Sequence, residues 1–204
     1  MENKELQDKA LNEKESLELI ARMIRNTQKG LERGAGFPML LWGYATVVTT
    51  AVVWLALKLT LDYHYNFLWF LIPLIGCSGM ILRRKRPAPG VRTYIDRVVR
   101  YVWLVMGLTG FLLSALSIMS SMWTLPILFI ILLIMGMGSV LTGLVIEFKP
   151  VIIGGIAGLL ISIAHYLIPG YDLKMLTFAL AFVVMYIMPG HVLNYKAKKA
   201  CSKS

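Results

Sequence analysis

The residues able to do covalent, metal or proton chemistry are few in this chain and widely scattered. There are three histidines, His64, His165 and His191, and two cysteines, Cys77 and Cys201. Cys77 falls in an apolar run and Cys201 near the C-terminus, so neither a disulfide framework nor a clustered metal site is implied. His64 and His165 could meet at one face beside Asp62, but no third metal ligand accompanies them at a supporting spacing. Asp96, Glu147 and His191 are the candidates for acid–base work on a lipid at the opposite face. The sequence has no H-E-x-x-H zinc pair, no phosphate-cradling P-loop and no G-x-S-x-G nucleophile turn. The expectation is a protein with no enzymatic activity, no catalytic residues, no metal and no cofactor.

Anion chemistry is better represented. Between Ser16 and Arg33, the cations Arg22, Arg25, Lys29 and Arg33 lie opposite an apolar stripe of Leu17, Ile20, Ile24, Thr27 and Leu31, the pattern of an amphipathic helix. Such a helix rests on a membrane, its stripe among the headgroups and each cation gaining about 1 kcal/mol from anionic lipid. The competing reading is a topological anchor docked on its own bundle. A second cluster, Arg83, Arg84, Lys85 and Arg86, precedes a loop and then Arg92, Asp96, Arg97 and Arg100. Guanidinium groups match phosphate geometry, although such a run is also the ordinary signal that fixes topology. Asp96 and Arg100, four apart, can pair on one helix face.

The elements that must hold these residues are apolar. Of 204 residues 57% are hydrophobic and 16% charged, with mean hydropathy +0.68, more apolar than a water-soluble core of this size needs. Apolar runs near 20 residues cross a ~30 Å hydrocarbon layer as helices, which satisfy their own backbone groups. The fold class expected is all-α: a polytopic membrane protein of six transmembrane helices with an N-terminal cytoplasmic amphipathic helix. The spans are expected at 37–57, 66–82, 101–120, 125–146, 151–168 and 175–190. They divide the chain into a charged cytoplasmic segment, 1–36, a six-helix domain, 37–190, and a basic cytoplasmic tail, 191–204. Residues 1–36 lack the short apolar region of a cleavable signal peptide.

Charge then sets the orientation. Of 21 basic residues only Lys58 and Lys174 fall on the side away from the termini under this layout. Basic residues of short loops stay cytoplasmic, so both ends are expected inside the cell and the span count even. The net charge of +10 reflects the bilayer, not a nucleic-acid partner. Aromatic residues divide into an outer belt, with Trp54, Trp69 and Tyr171, and an inner one, with Trp42, Trp103 and Tyr186.

Small residues recur at helical spacing inside the spans: Gly107, Gly110, Ser114 and Ser117, then Gly136, Ser139 and Gly143, then Gly154, Gly158 and Ser162. Such stripes let helix backbones approach, and hydroxyls along them could instead line a water path. Pro126 and Pro150 mark helix starts, Pro189 with Gly190 an exit, and Pro73 a bend inside the second span. No Asp, Glu, Lys or Arg lies within the expected spans. His165 alone titrates there besides Tyr and Cys, and reads as an interfacial anchor rather than a proton carrier.

Four short motifs carry a resemblance. Leu40-Leu41-Trp42-Gly43-Tyr44, Thr93-Tyr94-Ile95-Asp96-Arg97, Phe148-Lys149-Pro150-Val151-Ile152-Ile153-Gly154-Gly155 and Tyr186-Ile187-Met188-Pro189-Gly190-His191 together resemble an uncharacterised group of small helical membrane proteins from Bacteroidetes bacteria. The resemblance implies a bacterial inner-membrane location and assigns no activity. The functional expectation is a non-enzymatic regulatory or partner-binding membrane module that binds anionic lipid headgroups and a cytoplasmic protein. The alternative is a small transporter or channel for an uncharged or weakly polar solute, acting as a homo-oligomer. Reporter fusions to the two chain ends are expected to report the same, cytoplasmic compartment; opposite compartments refute the six-span layout.

Overall fold

A computed structural model describes residue 18 and residues 36–60, 62–84, 94–119 and 126–201. Apart from short connections these residues are helical, and no strand occurs among them. The helices are α1 (Gly36–Thr60), α2 (Leu71–Arg84, preceded by a 3-10 segment, Tyr63–Phe70), α3 (Tyr94–Met119), α4 (Ile127–Val145), α5 (Lys149–Leu167), α6 (Tyr171–Phe182) and, after a π turn over Val183–Ile187, α7 (Met188–Cys201). Among the described residues six helical stretches are long and apolar enough to cross a membrane. The amphipathic segment expected before α1 lies outside the described residues.

The bundle is built outward from the α4–α5 hairpin, whose backbones touch. A methyl group at Gly143 would lie 2.7 Å from the backbone nitrogen of Ile152, and one at Gly155 would lie 2.7 Å from that of Val140. Only glycine permits this approach, which replaces side-chain contacts with close backbone packing. The turn between the two helices closes with the Phe148 N–H on the Gly143 carbonyl at 2.9 Å. Glu147 takes the left-handed position of that turn at φ 53°, where glycine is the commoner choice.

α6 and α7 pack against the other face of α5. Gly158 lies directly under Met185, and a methyl at Gly154 would stand 3.0 Å from the Val184 carbonyl oxygen. α1 runs between α2 and α7: Gly36 abuts Asn194, Gly43 abuts Tyr186 and Ile187, Trp42 covers Gly76 and Leu41 covers Gly79. The start of α1 and the end of α7 therefore share one end of the bundle, called here the terminal end. The core sits on α1 and α4–α7; in the most apolar stretch of α3 only 6% of residues are buried, against 33% in that of α1 and 44% in that of Tyr171–Lys196.

Two expectations need correction. Pro189 and Gly190 do not end the last helix, which continues to Cys201. The π turn is the reason: the Met188 N–H reaches back five residues to Val183, so the helix has already shifted register where Pro189 lacks a donor. The freed carbonyls of this turn lie over the bare surface of Gly154. Pro73, likewise, does not bend the middle of a helix. The change from 3-10 to α geometry at Leu71 leaves Pro73 in the first α turn, where a missing N–H is tolerated.

Asp62 caps the 3-10 segment, accepting the His64 N–H at 3.0 Å. That bond, chiefly, and the His64 ring beside it hold the carboxyl below its ordinary value of 3.8. Because the folded value is depressed, the cap acts fully above pH 3.8 and fades as pH falls through the lower folded value. Protection of the His64 amide from exchange is expected to weaken as pH falls below 3.8, and Asp62→Asn to remove that acid transition.

Gly143→Ala is expected to destabilise the protein by about 1–3 kcal/mol through overpacking. Gly107→Ala, where a methyl meets nothing within 4 Å, leaves thermal unfolding unchanged or raises its midpoint.

Candidate functional site

The helices enclose a cleft of about 1970 Å³, larger than the roughly 300–1,000 Å³ of pockets that hold one compact ligand. It runs the length of the bundle. Pro126 and Ile146, which flank the 19 residues of α4, both line it, and they stand about 30 Å apart along the helix axis. On α4 the cleft face is Leu128, Ile131, Met135, Ser139, Thr142 and Ile146, spaced three or four apart as one side of a helix must be. On α3 it is Arg100, Trp103, Gly107, Gly110 and Ser114.

An aromatic ladder follows the cleft along α6. Trp69 meets Phe178 at 5.5 Å, Phe178 meets Phe182 at 5.1 Å, Phe182 meets Tyr186 at 5.4 Å and Tyr186 meets Trp103 at 5.9 Å, between ring centroids. These rings give a rigid apolar wall with few side-chain torsions to freeze.

Hydroxyls interrupt that wall, and nearly all are satisfied locally. Thr46 donates to the Trp42 carbonyl at 2.9 Å, Ser114 to Gly110 at 2.8 Å and Thr142 to Gly138 at 2.7 Å. Ser139 is the exception: its Oγ is the one buried side-chain oxygen or nitrogen among the described residues with no partner. The carbonyl one turn back, which serves the other hydroxyls, belongs here to Met135. It already accepts from the Tyr186 hydroxyl at 3.3 Å, in addition to its place in the helix ladder.

The two ends differ. At the end away from the termini, the Trp54 indole N–H donates to Asp172 Oδ1 at 2.6 Å, and Lys58 Nζ stands 3.6 Å from Asp172 Oδ2 and 4.8 Å above the Trp54 ring. This clasp ties α1 to α6. Toward the terminal end, Arg100 lines the cleft, and the Tyr44 hydroxyl bonds His191 Nε2 at 2.9 Å between α1 and α7.

His165 is not an interfacial anchor; it is 2% exposed. His165 Nδ1 is hydrogen-bonded with the Thr177 hydroxyl at 2.9 Å, and that hydroxyl also lies 2.9 Å from the Leu173 carbonyl of its own helix. Phe178 packs beside the ring at 6.4 Å. Tyr186 also leaves the aromatic belt expected of it and is buried against Trp103 and Phe182. Neither placement has a sequence signal, because each depends on which helix lies opposite. His64 stands exposed beside Asp62, and no three His, Cys, Asp or Glu residues gather for a metal among the described residues.

The anion-binding candidates Arg22, Arg25, Lys29, Arg33, Lys85 and Arg86 lie outside the described residues; Arg83 and Arg84 end α2. The packing glycines divide. Gly136 and Gly143 meet α5, and Gly154 and Gly158 meet the π turn region. Gly110 only brushes Ile131 and Gly107 faces open space, so that stripe borders the cleft instead of sealing a helix pair. Ser139 turns toward the cleft, away from the α5 contacts of its neighbours Gly136 and Gly143. Gly36, Gly43, Gly76, Gly79 and Gly155, which the sequence reading did not assign to helix packing, also form close contacts. Gly36 and Gly43, seven apart, and Gly76 and Gly79, three apart, carry a spacing that could have revealed them.

No family model matches the chain, and neither the curated proteins nor the solved structures give a match.

The clasp yields a prediction. Lys58→Met is expected to cost under about 1 kcal/mol, since the exposed ion pair is screened. Asp172→Ala removes the partner of the Trp54 N–H as well and is expected to cost more, with a change in tryptophan emission during chemical unfolding.

Proposed function

We propose that this protein is a non-enzymatic module of a bacterial inner membrane, with both termini cytoplasmic, that holds an elongated amphiphile in its cleft and regulates or recruits a cytoplasmic partner through its basic segments. The cleft is the observation that carries the reading. Its 30 Å length equals the hydrocarbon thickness of a bilayer, its wall is apolar and aromatic, and its ends are charged, a pattern complementary to a lipid. A small hydrophilic substrate has little to bind along most of that wall. The basic residues at 22–33 and 83–100 add attraction for anionic headgroups on the same side as Arg100. Binding of a lipid that bridges α3, α4 and α6 gives a physical route by which membrane composition alters the cytoplasmic face. The resemblance to Bacteroidetes membrane proteins is consistent with this location.

The second reading, a transporter for an uncharged or weakly polar solute, draws on the hydroxyls Thr46, Ser139 and Thr142 in the same wall. Uptake into proteoliposomes across a solute panel separates the two readings.

Gly107 lines the cleft and a Cβ there would meet nothing within 4 Å, so Gly107→Trp can direct its ring into the cleft without a clash at the backbone. The wild-type protein is expected to retain lipid through detergent purification, measured by native mass spectrometry, and Gly107→Trp to lose most of it. Equal retention by both, or no retained lipid in the wild type, refutes the proposal.

A further inference from the structure

We infer that the cleft reads a diacyl glycerophospholipid at two points, its phosphate at Arg100 and an acyl ester carbonyl at Ser139. This rests on the lipid-holding reading above and names the chemistry that selects the lipid.

The register of α3 and α4 sets the spacing. The helices are antiparallel, with Gly110 beside Ile131 and Gly138 against Trp103 and Met106. Ser139 is therefore level with Trp103 and its neighbours, and Arg100 lies about one helical turn, ~5 Å, nearer the terminal end. Both residues line the cleft. In a glycerophospholipid the short glycerol unit separates the phosphate from the first ester carbonyl by a comparable distance. The acyl chains then continue along the aromatic ladder toward Trp69.

Ser139 supplies what a carbonyl needs. Its hydroxyl is fully buried and unpartnered, and the Met135 carbonyl four residues back, one of the acceptors a helical hydroxyl can use, is already held by Tyr186. A buried polar group without a partner is costly, and an incoming acceptor would recover that cost. Met135, one turn away on the same cleft-lining face, is an unbranched thioether that can repack as the ester enters. Arg100 supplies a charged, planar donor for the phosphate. A fatty acid offers a charge without a separate carbonyl, an ether phospholipid offers a phosphate without the carbonyl, and a diacylglycerol offers the carbonyl without the charge. Of these four lipids only the diester phospholipid satisfies both points.

The test uses the full chain in detergent, titrated with dioleoyl phosphatidylglycerol, its diether analogue and dioleoylglycerol, with bound lipid counted by native mass spectrometry. The wild type is expected to prefer the diester over the diether lipid by about tenfold, one hydrogen bond's worth. Ser139→Ala is expected to bind both phospholipids equally and to stay folded, since it deletes an unsatisfied oxygen from the wall. Tyr186→Phe frees the Met135 carbonyl for Ser139 and is expected to reduce the same preference. Arg100→Gln is expected to lose the preference for phospholipid over dioleoylglycerol. Equal binding of diester and diether lipid by the wild type, or a preference that survives Ser139→Ala, overturns the inference while leaving lipid retention in the cleft intact. Absence of any bound lipid overturns both.

Discussion

Backbone-to-backbone contact between α4 and α5 is the constraint on which the rest of the bundle depends. At Gly143 and Gly155 the facing nitrogen is so near that a single methyl group cannot be inserted. This contact sets the rotation of α4 about its axis. With Gly136, Val140 and Gly143 turned to α5, the side carrying Met135, Ser139 and Thr142 must face elsewhere, and it faces the cleft. The tightest seam in the protein thereby determines the composition of its most open region. Dispersion and close packing do this work where water provides little drive between helices.

A second departure from regularity sits opposite the first. The π turn at Val183–Ile187 inserts a residue's worth of rotation into the last helix, placing Met185 over Gly158 and Tyr186 toward Trp103. With a regular helix the ring of Tyr186 and the face that follows it would not share this alignment. The hydroxyl of Tyr186 then occupies the Met135 carbonyl, and Ser139 is left without its usual local partner. Irregular backbone, an occupied carbonyl and an unpaired hydroxyl thus form a single causal sequence.

The two halves of the bundle are unequal. α4 to α7 are joined by glycine contacts and hold most of the core, whereas α2 and α3 present most of their apolar surface outward. α1 joins them through Trp42 on Gly76 and through the Trp54–Asp172 hydrogen bond. A cleft bounded by one firmly packed wall and one lightly held wall can widen without disturbing the core, since few buried contacts oppose the movement.

Helix number and helix type were legible from the chain because they depend on local quantities: the length of apolar runs and the self-sufficiency of helical hydrogen bonding. Pro126 and Pro150 were equally legible as helix starts, since a proline needs no partner there. Pro189 was not, because its tolerance depends on a π turn that only packing against Gly154 reveals. The stripes of small residues were visible, but which of them would meet a neighbour was not: Gly143 lies against a backbone and Gly107 against nothing. His165, Tyr186 and Ser139 follow the same rule. Residue type and spacing determined which groups could touch across a helix pair, while their actual partners were decided by the rotation and pairing of helices distant in the chain, an outcome of packing geometry that no single segment contains.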